Sequence, residues 1–534
     1  MKFRLSLKRD GGPRRWTGRC ACSPSCGLNV KLRNPQDYEY INKRSVVVQP
    51  GSGTCIFHDG CSRASRGCDR QHPAGGNMTQ LGNDRPVPRA GARPLSVLYS
   101  FPHAFGSPGI GDTAWNQVHE LVRAGHHVTL VTASVARSVP RLRTLEQTMV
   151  VGGRRLPHRA VGRMRAFAWH DLRAAALLNR GTFDVVHTWP LASARTLLAA
   201  RALGIPGMRE VPNTHTAHAF DVVGREYAKL GLAVPSGFSH HFDGDRLVLE
   251  DREYAAAHGL LVPSDAVADT FLERGFDGSR LMRHRYGFDP SVIRVPIRDD
   301  PARPFTAVFL GRCEPRKGLH YALDAWLASK ASETGRFLIY GNFVPGYREL
   351  LGPLLAHRSV ELRGFTDRPA KAYAQADILL LPSIEEGSAL VTYEAQGAGV
   401  IPLVSRASGA VVEHAVNGLI HNPGDVAMLS SQIDLVFGSA RWRRALKQGV
   451  LAHAPTLTWQ AANVVLVDLY RQAVAQFSPE DYAARPGELH PGTGEYPELA
   501  HGIPGTVTSI DSAVLPRAET QRPSSWSRMH DASG

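Results

Sequence analysis

A chain of 534 residues is too long for one ordinary hydrophobic core, so two or more domains are expected. Hydrophobic residues make up 43% of it, but no apolar run approaches the roughly 20 residues of a membrane span, and the chain reads as soluble or peripheral. The net charge of +14 is gathered at one end: residues 1–77 hold 14 Lys and Arg against 5 Asp and Glu, so the remainder is only mildly basic and no nucleic-acid partner is expected.

Six of the seven cysteines, Cys20, Cys22, Cys26, Cys55, Cys61 and Cys68, share that basic stretch, and only Cys313 lies further on. Their spacing is not the paired C-x2-C of a zinc ribbon, and the absence of paired cysteines beyond residue 70 fits a reducing cytoplasm. No apolar segment follows the basic start, so a signal peptide does not account for it. Residues 1–92 are therefore expected to be disordered or a mis-assigned start, with Met78 the candidate initiator.

The first domain, 93–295, is expected to open on the apolar strand 94–100, which enters the loop Gly106-Ser-Pro-Gly-Ile-Gly-Asp112. A helix over 113–124 stops at Gly125 before a strand at 127–133, a β-loop-α-β order that predicts a parallel sheet with right-handed crossovers. Gly109 and Gly111 do not make a dinucleotide fingerprint; each is a candidate cleft residue or simply part of a tight turn. Further strands are expected at 183–187, 207–211 and 258–263. His187, His215 and His218 stand at strand ends and so on the cleft side, where a histidine can hydrogen-bond a sugar hydroxyl or relay a proton; a structural hydrogen bond is the alternative for each, and His215 is the leading candidate. Asp243 and Asp245 have the Asp-x-Asp pattern of a metal site but precede a helix, where capping explains them.

A Pro- and Arg-rich linker near 288–304 leads to a second domain, 303–438. There the buried strand from Ala307 runs into Gly311, Arg312, Arg316, Lys317 and Gly318: glycine admits a close ligand, and the cations can neutralise a pyrophosphate. About seventy residues later a second buried strand, 376–382, enters Glu386-Gly387-Ser388-Ala389-Leu390 and should start a helix whose N-terminus can hold a diphosphate. Glu394 follows on that helix, placed for ribose hydroxyls while Glu386 meets the sugar beyond the phosphates. Glu385 should point elsewhere. Helices over 439–477 and a disordered tail, 478–534, complete the chain.

These two loops, GRCEPRKG and EGSALVTYE, resemble those of the retaining glycosyltransferases of family 4. The resemblance implies an α/β protein of GT-B fold, with two Rossmann-like doubly wound domains facing across a cleft and a closing helix that packs back on the first. It implies that Arg312 and Lys317 contact the donor diphosphate, Glu394 the ribose and Glu386 the transferred sugar, with Gly311, Gly387, Ser388, Ala389 and Leu390 around the donor. Gly109 and Gly111 would face the acceptor. One position departs from the family: Ala389 stands where many members have glycine, which matters if the backbone there needs positive φ. The implied reaction is retaining, metal-independent transfer from a nucleotide-diphosphate sugar to an acceptor hydroxyl, with no cofactor. A lipid carrier, a glycan or a small metabolite stays open as acceptor, as does peripheral contact with the inner membrane surface. The rivals are a nucleotide-sugar epimerase on the same plan and a non-catalytic sugar-nucleotide or nucleic-acid binding protein.

Overall fold

The computed structural model describes residues 6–9, 16–19, 27–30, 93–156, 161–293 and 303–478. The chain divides into two compact units, Met1–Asp84 and Arg85–Gly534. In the first, β1 (Ser6–Arg9), β2 (Trp16–Arg19) and β3 (Gly27–Val30) pair antiparallel in sequence order. Met78, the six N-terminal cysteines and the tail beyond residue 478 lie outside the described residues.

The second unit is built on two parallel sheets. In its first lobe β4 (Ser96–Phe105), β5 (His127–Val135), β6 (Thr144–Gln147), β9 (Val185–Thr188), β10 (Gly207–Glu210), β11 (Gly259–Val262) and β12 (Leu281–Arg283) lie in the order β12-β11-β10-β9-β4-β5-β6. A short hairpin, β7 (Val150–Val151) with β8 (Arg154–Arg155), follows the edge strand. Strand β4 runs five residues past the expected end because the chain bulges rather than stops at Pro102: the register shifts between Phe101 and Ala104, and the Thr132 hydroxyl donates to the His103 carbonyl at 2.8 Å. The helix Ile110–Arg123 then turns Trp115, Val118 and Leu121 into the core against Tyr99 and Val128.

In the second lobe β13 (Thr306–Leu310), β14 (Arg336–Tyr340), β15 (Val360–Gly364), β16 (Ile378–Leu381), β17 (Ile401–Ser405) and β18 (Leu419–His421) are ordered β15-β14-β13-β16-β17-β18. Strand β16, ILLL, is buried on both faces, as a central parallel strand must be. The order reverses direction beside β13 and β16, the two strands that carry the Gly311–Gly318 loop and the glutamate loop. Ligands in such sheets bind at this reversal, outside the carboxyl ends.

Two chain crossings join the lobes. Phe288 and Trp459 exchange backbone hydrogen bonds with the facing segments, and a Cβ on Gly287 would lie 2.4 Å from the Trp459 nitrogen, so only glycine admits this approach. The last helix, Trp459–Gln476, leaves that crossing and buries Leu466, Val467, Tyr470 and Ala473 in the first lobe's core.

One long helix, Arg163–Leu178, has no counterpart in the sequence reading. Its apolar residues occupy both faces, so no single apolar stripe marks it.

Candidate active site between the lobes

Strand β13 delivers Gly311 and Arg312 to the cleft, and the turn Pro315–Lys317 follows. Gly311 has φ +149, and the place of its missing Cβ lies 3.2 Å from Lys317 Cδ, so the lysine stem crosses over a glycine that leaves room for it. Gly318, at φ +67, packs its Cα against the next loop, where a Cβ would meet the Pro382 carbonyl at 2.2 Å. The two loops are thus held together, and Ile384 N–H also donates to the Arg316 carbonyl at 2.9 Å.

The glutamate loop hangs from β16 and opens the helix Leu390–Gly397. Glu386 is 7% exposed, with Lys317 Nζ on its Oε1 and Arg316 Nη1 3.0 Å from its Oε2. Burial alone would favour its neutral form; the Arg316 and Lys317 cations reverse this and hold its pKa below the ordinary carboxylate value. Arg316 also pairs with Glu314 at 3.0 Å and with Glu385 at 3.3 Å. It is therefore Arg316, and not Arg312, that joins Lys317 on the glutamate. Arg312 is exposed, its guanidinium 5.3 Å from the centre of the Phe238 ring, and it makes no ion pair among the described residues.

Glu385 does not point away. Its side chain is fully buried, accepts from the Thr214 hydroxyl at 2.6 Å and the Thr214 N–H at 3.3 Å, and meets His240 Nε2 at 3.2 Å. Burial again disfavours its charge, but His240, Arg316 and Thr214 together keep it well below the usual carboxylate range. Thr214 and His240 belong to the first lobe, so this carboxylate ties the lobes together. Gly387 does the same with its backbone: a Cβ there would lie 1.7 Å from the Pro212 carbonyl, and its own carbonyl accepts from Ser264 at 2.6 Å. The sequence reading placed Gly387 against the donor; its close approach is to the first lobe.

Ala389 has φ −69, so the missing family glycine costs nothing in backbone strain. Its N–H donates to the Ser408 carbonyl, and the Ser388 hydroxyl is engaged with Gly409 and Tyr393. Leu390 is the first residue of the helix and half-buried. Glu394, one turn further, accepts from the Tyr373 hydroxyl at 2.9 Å. Burial raises its pKa to about 7, Tyr373 opposes the rise, and the negative Asp112 of the first lobe adds to it. Asp112 lies in the first turn of the Ile110–Arg123 helix. Gly109 precedes the helix at φ +85 with open space where its Cβ would be, whereas a Cβ on Gly111 would meet Ser107 Oγ at 2.5 Å and the Ala104 carbonyl at 2.7 Å. Gly109 can face a ligand; Gly111 is a packing glycine.

The histidines separate. His187 is not in the cleft: it is fully buried mid-sheet, its Nδ1 hydrogen-bonded to the Tyr470 hydroxyl at 2.5 Å and its Nε2 3.2 Å from buried Glu210, because the 459–476 helix covers the end of β9. His215 caps the helix Thr216–Lys229, its Nδ1 accepting from Ala217 N–H, and its ring packs among Tyr254, Phe271 and Phe276. The leading candidate among the histidines thus gives one ring nitrogen to a helix cap. His218 is half-buried, and burial lowers its pKa while the Glu385 charge pulls it upward. His240, which the sequence reading passed over, touches Glu385 directly; its only signal was a His-His pair in a polar loop. Asp243 caps its helix through Arg246 N–H at 3.0 Å, and Asp245 lies in the first turn. Beside Gly311, at the carboxyl ends of β14 and β15, a cavity of about 620 Å³ is lined by Gly341, Asn342, Phe343, Arg348 and Leu362 among others.

Comparison with known proteins accounts for both lobes. Residues 108–294 match the family described as Glycosyltransferase Family 4, and residues 304–437 match Glycosyl transferases group 1. The chain belongs to the family 4 glycosyltransferases. D-inositol 3-phosphate glycosyltransferase of Mycobacterium tuberculosis is 26% identical over 436 residues, covering 73% of this chain and 85% of the relative. Among solved structures, sucrose-phosphate synthase from Thermosynechococcus elongatus aligns with a TM-score of 0.54 at 19% identity, over 72% of this chain and all of that one. Anabaena Alr3699/HepE, solved with UDP and glucose, aligns at 0.50 and 17% identity, over 71% of this chain and all of that one. These likenesses establish the GT-B fold for this glycosyltransferase. Among the described residues no helix is long and apolar enough to cross a membrane.

Proposed function

We propose that this glycosyltransferase moves a sugar from a nucleotide-diphosphate donor to an acceptor hydroxyl with retention of anomeric configuration, the 303–438 lobe holding the donor and the 93–295 lobe the acceptor. The observation that carries the reading is the convergence of Lys317, Arg316 and Glu386 at the strand-order reversal, with exposed Arg312 on the same loop. Arg316 is committed to three carboxylates and organises the loop. Arg312, which has no ion pair among the described residues, and Lys317 are the cations a diphosphate can claim. The 620 Å³ cavity beside Gly311 is of a size for the nucleoside, and Glu394 would accept from the ribose hydroxyls. HepE, of the same fold, is known with UDP and glucose, which supports a nucleotide-sugar donor here.

In the proposed step the bond from the anomeric carbon to the diphosphate oxygen breaks while the acceptor oxygen bonds the same face of that carbon. The acceptor proton passes to the departing diphosphate. Glu386, held ionised by two cations, is a poor covalent nucleophile but a good acceptor for sugar hydroxyls as positive charge grows on the ring. Lys317 and Arg312 stabilise the leaving diphosphate, which leaves no required place for a divalent ion. We also place the enzyme in the cytoplasm, where nucleotide sugars are consumed by such transfers and the thiol of Cys313 stays reduced.

A panel of nucleotide sugars with extracted acceptors, read by nucleotide release and by NMR of the product, tests this. Retained configuration and undiminished turnover in chelator are expected. Inversion, loss of activity restored by Mn²⁺, or sugar turnover with no acceptor consumed would each overturn a stated part of it.

A further inference from the structure

The described residues expose twenty large apolar side chains, and seven of them come from residues 145–172. The helix Arg163–Leu178 buries Ala166, Phe167, His170, Ala174 and Leu178 against the sheet. Its outward face, at three- and four-residue spacing, carries Met164 at 47% exposure, Trp169 at 47% and Leu172 at 46%, with exposed Ala168 between them. A solvent-facing helix side is ordinarily polar. The neighbouring hairpin extends the patch with Val151, 65% exposed, and Leu156. The Leu156 N–H closes the hairpin on the Met149 carbonyl at 2.8 Å, and the Trp169 indole N–H ties the helix to its base by donating to the Thr148 carbonyl at 3.1 Å.

The charge on this patch has one sign. Arg154, Arg155, Arg163 and Arg165 are exposed, and residues 148–170 contain no Asp or Glu. The flanking acids do not offset them: Glu146 is taken by Arg173 at 3.1 Å, and Asp171 is buried and accepts from the Arg195 and Thr196 backbone N–H groups. Exposed apolar residues beside arginines that make no ion pair among the described residues, with an indole at the boundary, match the chemistry of an anionic bilayer surface: acyl chains for the side chains, phosphate for the guanidinium groups. A second copy of the chain fits poorly, since a two-fold contact here would set arginine against arginine.

We infer that the hairpin 150–155 and the outward face of the 163–178 helix dock the first lobe on anionic lipid. The enzyme then works at a membrane surface without crossing it. Because residues 1–77 are also strongly basic, binding to anionic vesicles alone would not locate the contact, and the test rests on apolar changes that leave the charge unaltered.

Full-length protein is sedimented with vesicles of phosphatidylglycerol and phosphatidylcholine, and with phosphatidylcholine alone. Binding only to the anionic vesicles is expected. The Met164→Ser/Leu172→Ser variant should lower that partition by about tenfold or more, as expected when two side chains lose apolar burial. Because both side chains face solvent, thermal unfolding should be unchanged; a second variant, Arg163→Gln/Arg165→Gln, should weaken binding independently of any packing effect. Absence of wild-type binding, or binding unaffected by both variants, overturns the inference. So does a wild-type dimer that the serine changes dissociate, which would assign the patch to a second copy.

Discussion

Donor affinity should titrate with Glu394. The carboxylate sits where burial and the Asp112 charge raise its pKa to about 7, only partly opposed by the Tyr373 hydroxyl. Ribose hydroxyls donate, so the proposed contact needs the ionised form. A group of that pKa is about nine-tenths ionised one pH unit above it and about one-tenth one unit below. The donor KM should therefore rise about tenfold on going from pH 8 to pH 6, while a donor diphosphate diester does not itself titrate in that range. Stability runs the other way: a carboxyl whose folded pKa is raised favours the fold below its unfolded value near 4.5, and that contribution is lost as pH rises through about 7. Donor binding should consequently raise the unfolding temperature more at pH 8 than at pH 6. Initial rates against donor concentration, for wild type and Glu394→Gln, measure the first effect. The variant should start with a higher KM and show no slope of this origin. A flat wild-type profile, or the same slope in the variant, would refute the assignment of Glu394 to the ribose.

Lys317→Ala should lower turnover by about two to three orders of magnitude, the scale of losing one electrostatic donor to a leaving group; a folded variant with full activity would remove that role. Glu386→Gln should lower kcat more than it changes donor KM, because its contacts tighten as the ring becomes positive, and steady-state kinetics separate the two. Glu385→Gln should not be silent: replacing a charged partner of Arg316 and His240 removes hydrogen bonds of about 1.5–3 kcal/mol each, so a lower unfolding temperature is expected together with reduced activity. Gly387→Ala should force the lobes apart at Pro212 and cut kcat/KM at least about tenfold, an overpacking effect; wild-type activity in that variant would show that the closed contact is not used in turnover.

Much of this enzyme can be read along the chain. The buried strands ahead of Gly311 and Glu386 are short apolar runs ended by Gly, Pro and Ser, and a parallel strand buried on both faces has few other ways to be written. The pairing of a cationic loop with a two-glutamate loop is likewise local, since each motif is fixed by its own strand-to-helix turn. Helix caps such as Asp243 are legible for the same reason: their partner is three residues away.

What the tertiary structure decided are the partners that lie far off in sequence. Arg312 and Arg316 are equivalent cations in the sequence, and only the approach of the glutamate loop, seventy residues later, commits Arg316 to Glu314, Glu385 and Glu386 and leaves Arg312 exposed. Glu385 became an interlobe anchor through Thr214 and His240, which no spacing within its own loop could reveal. His187 passed from the cleft to the interior because Tyr470, 283 residues downstream on the last helix, covers it. The Arg163–Leu178 helix escaped notice since periodicity reports one apolar face against one polar face, and this helix is apolar toward both the core and the solvent. Local sequence determines elements because their hydrogen bonds and burial repeat at short range; ion pairs, interlobe contacts and exposed faces depend on which elements meet, and that is settled only when the chain closes on itself.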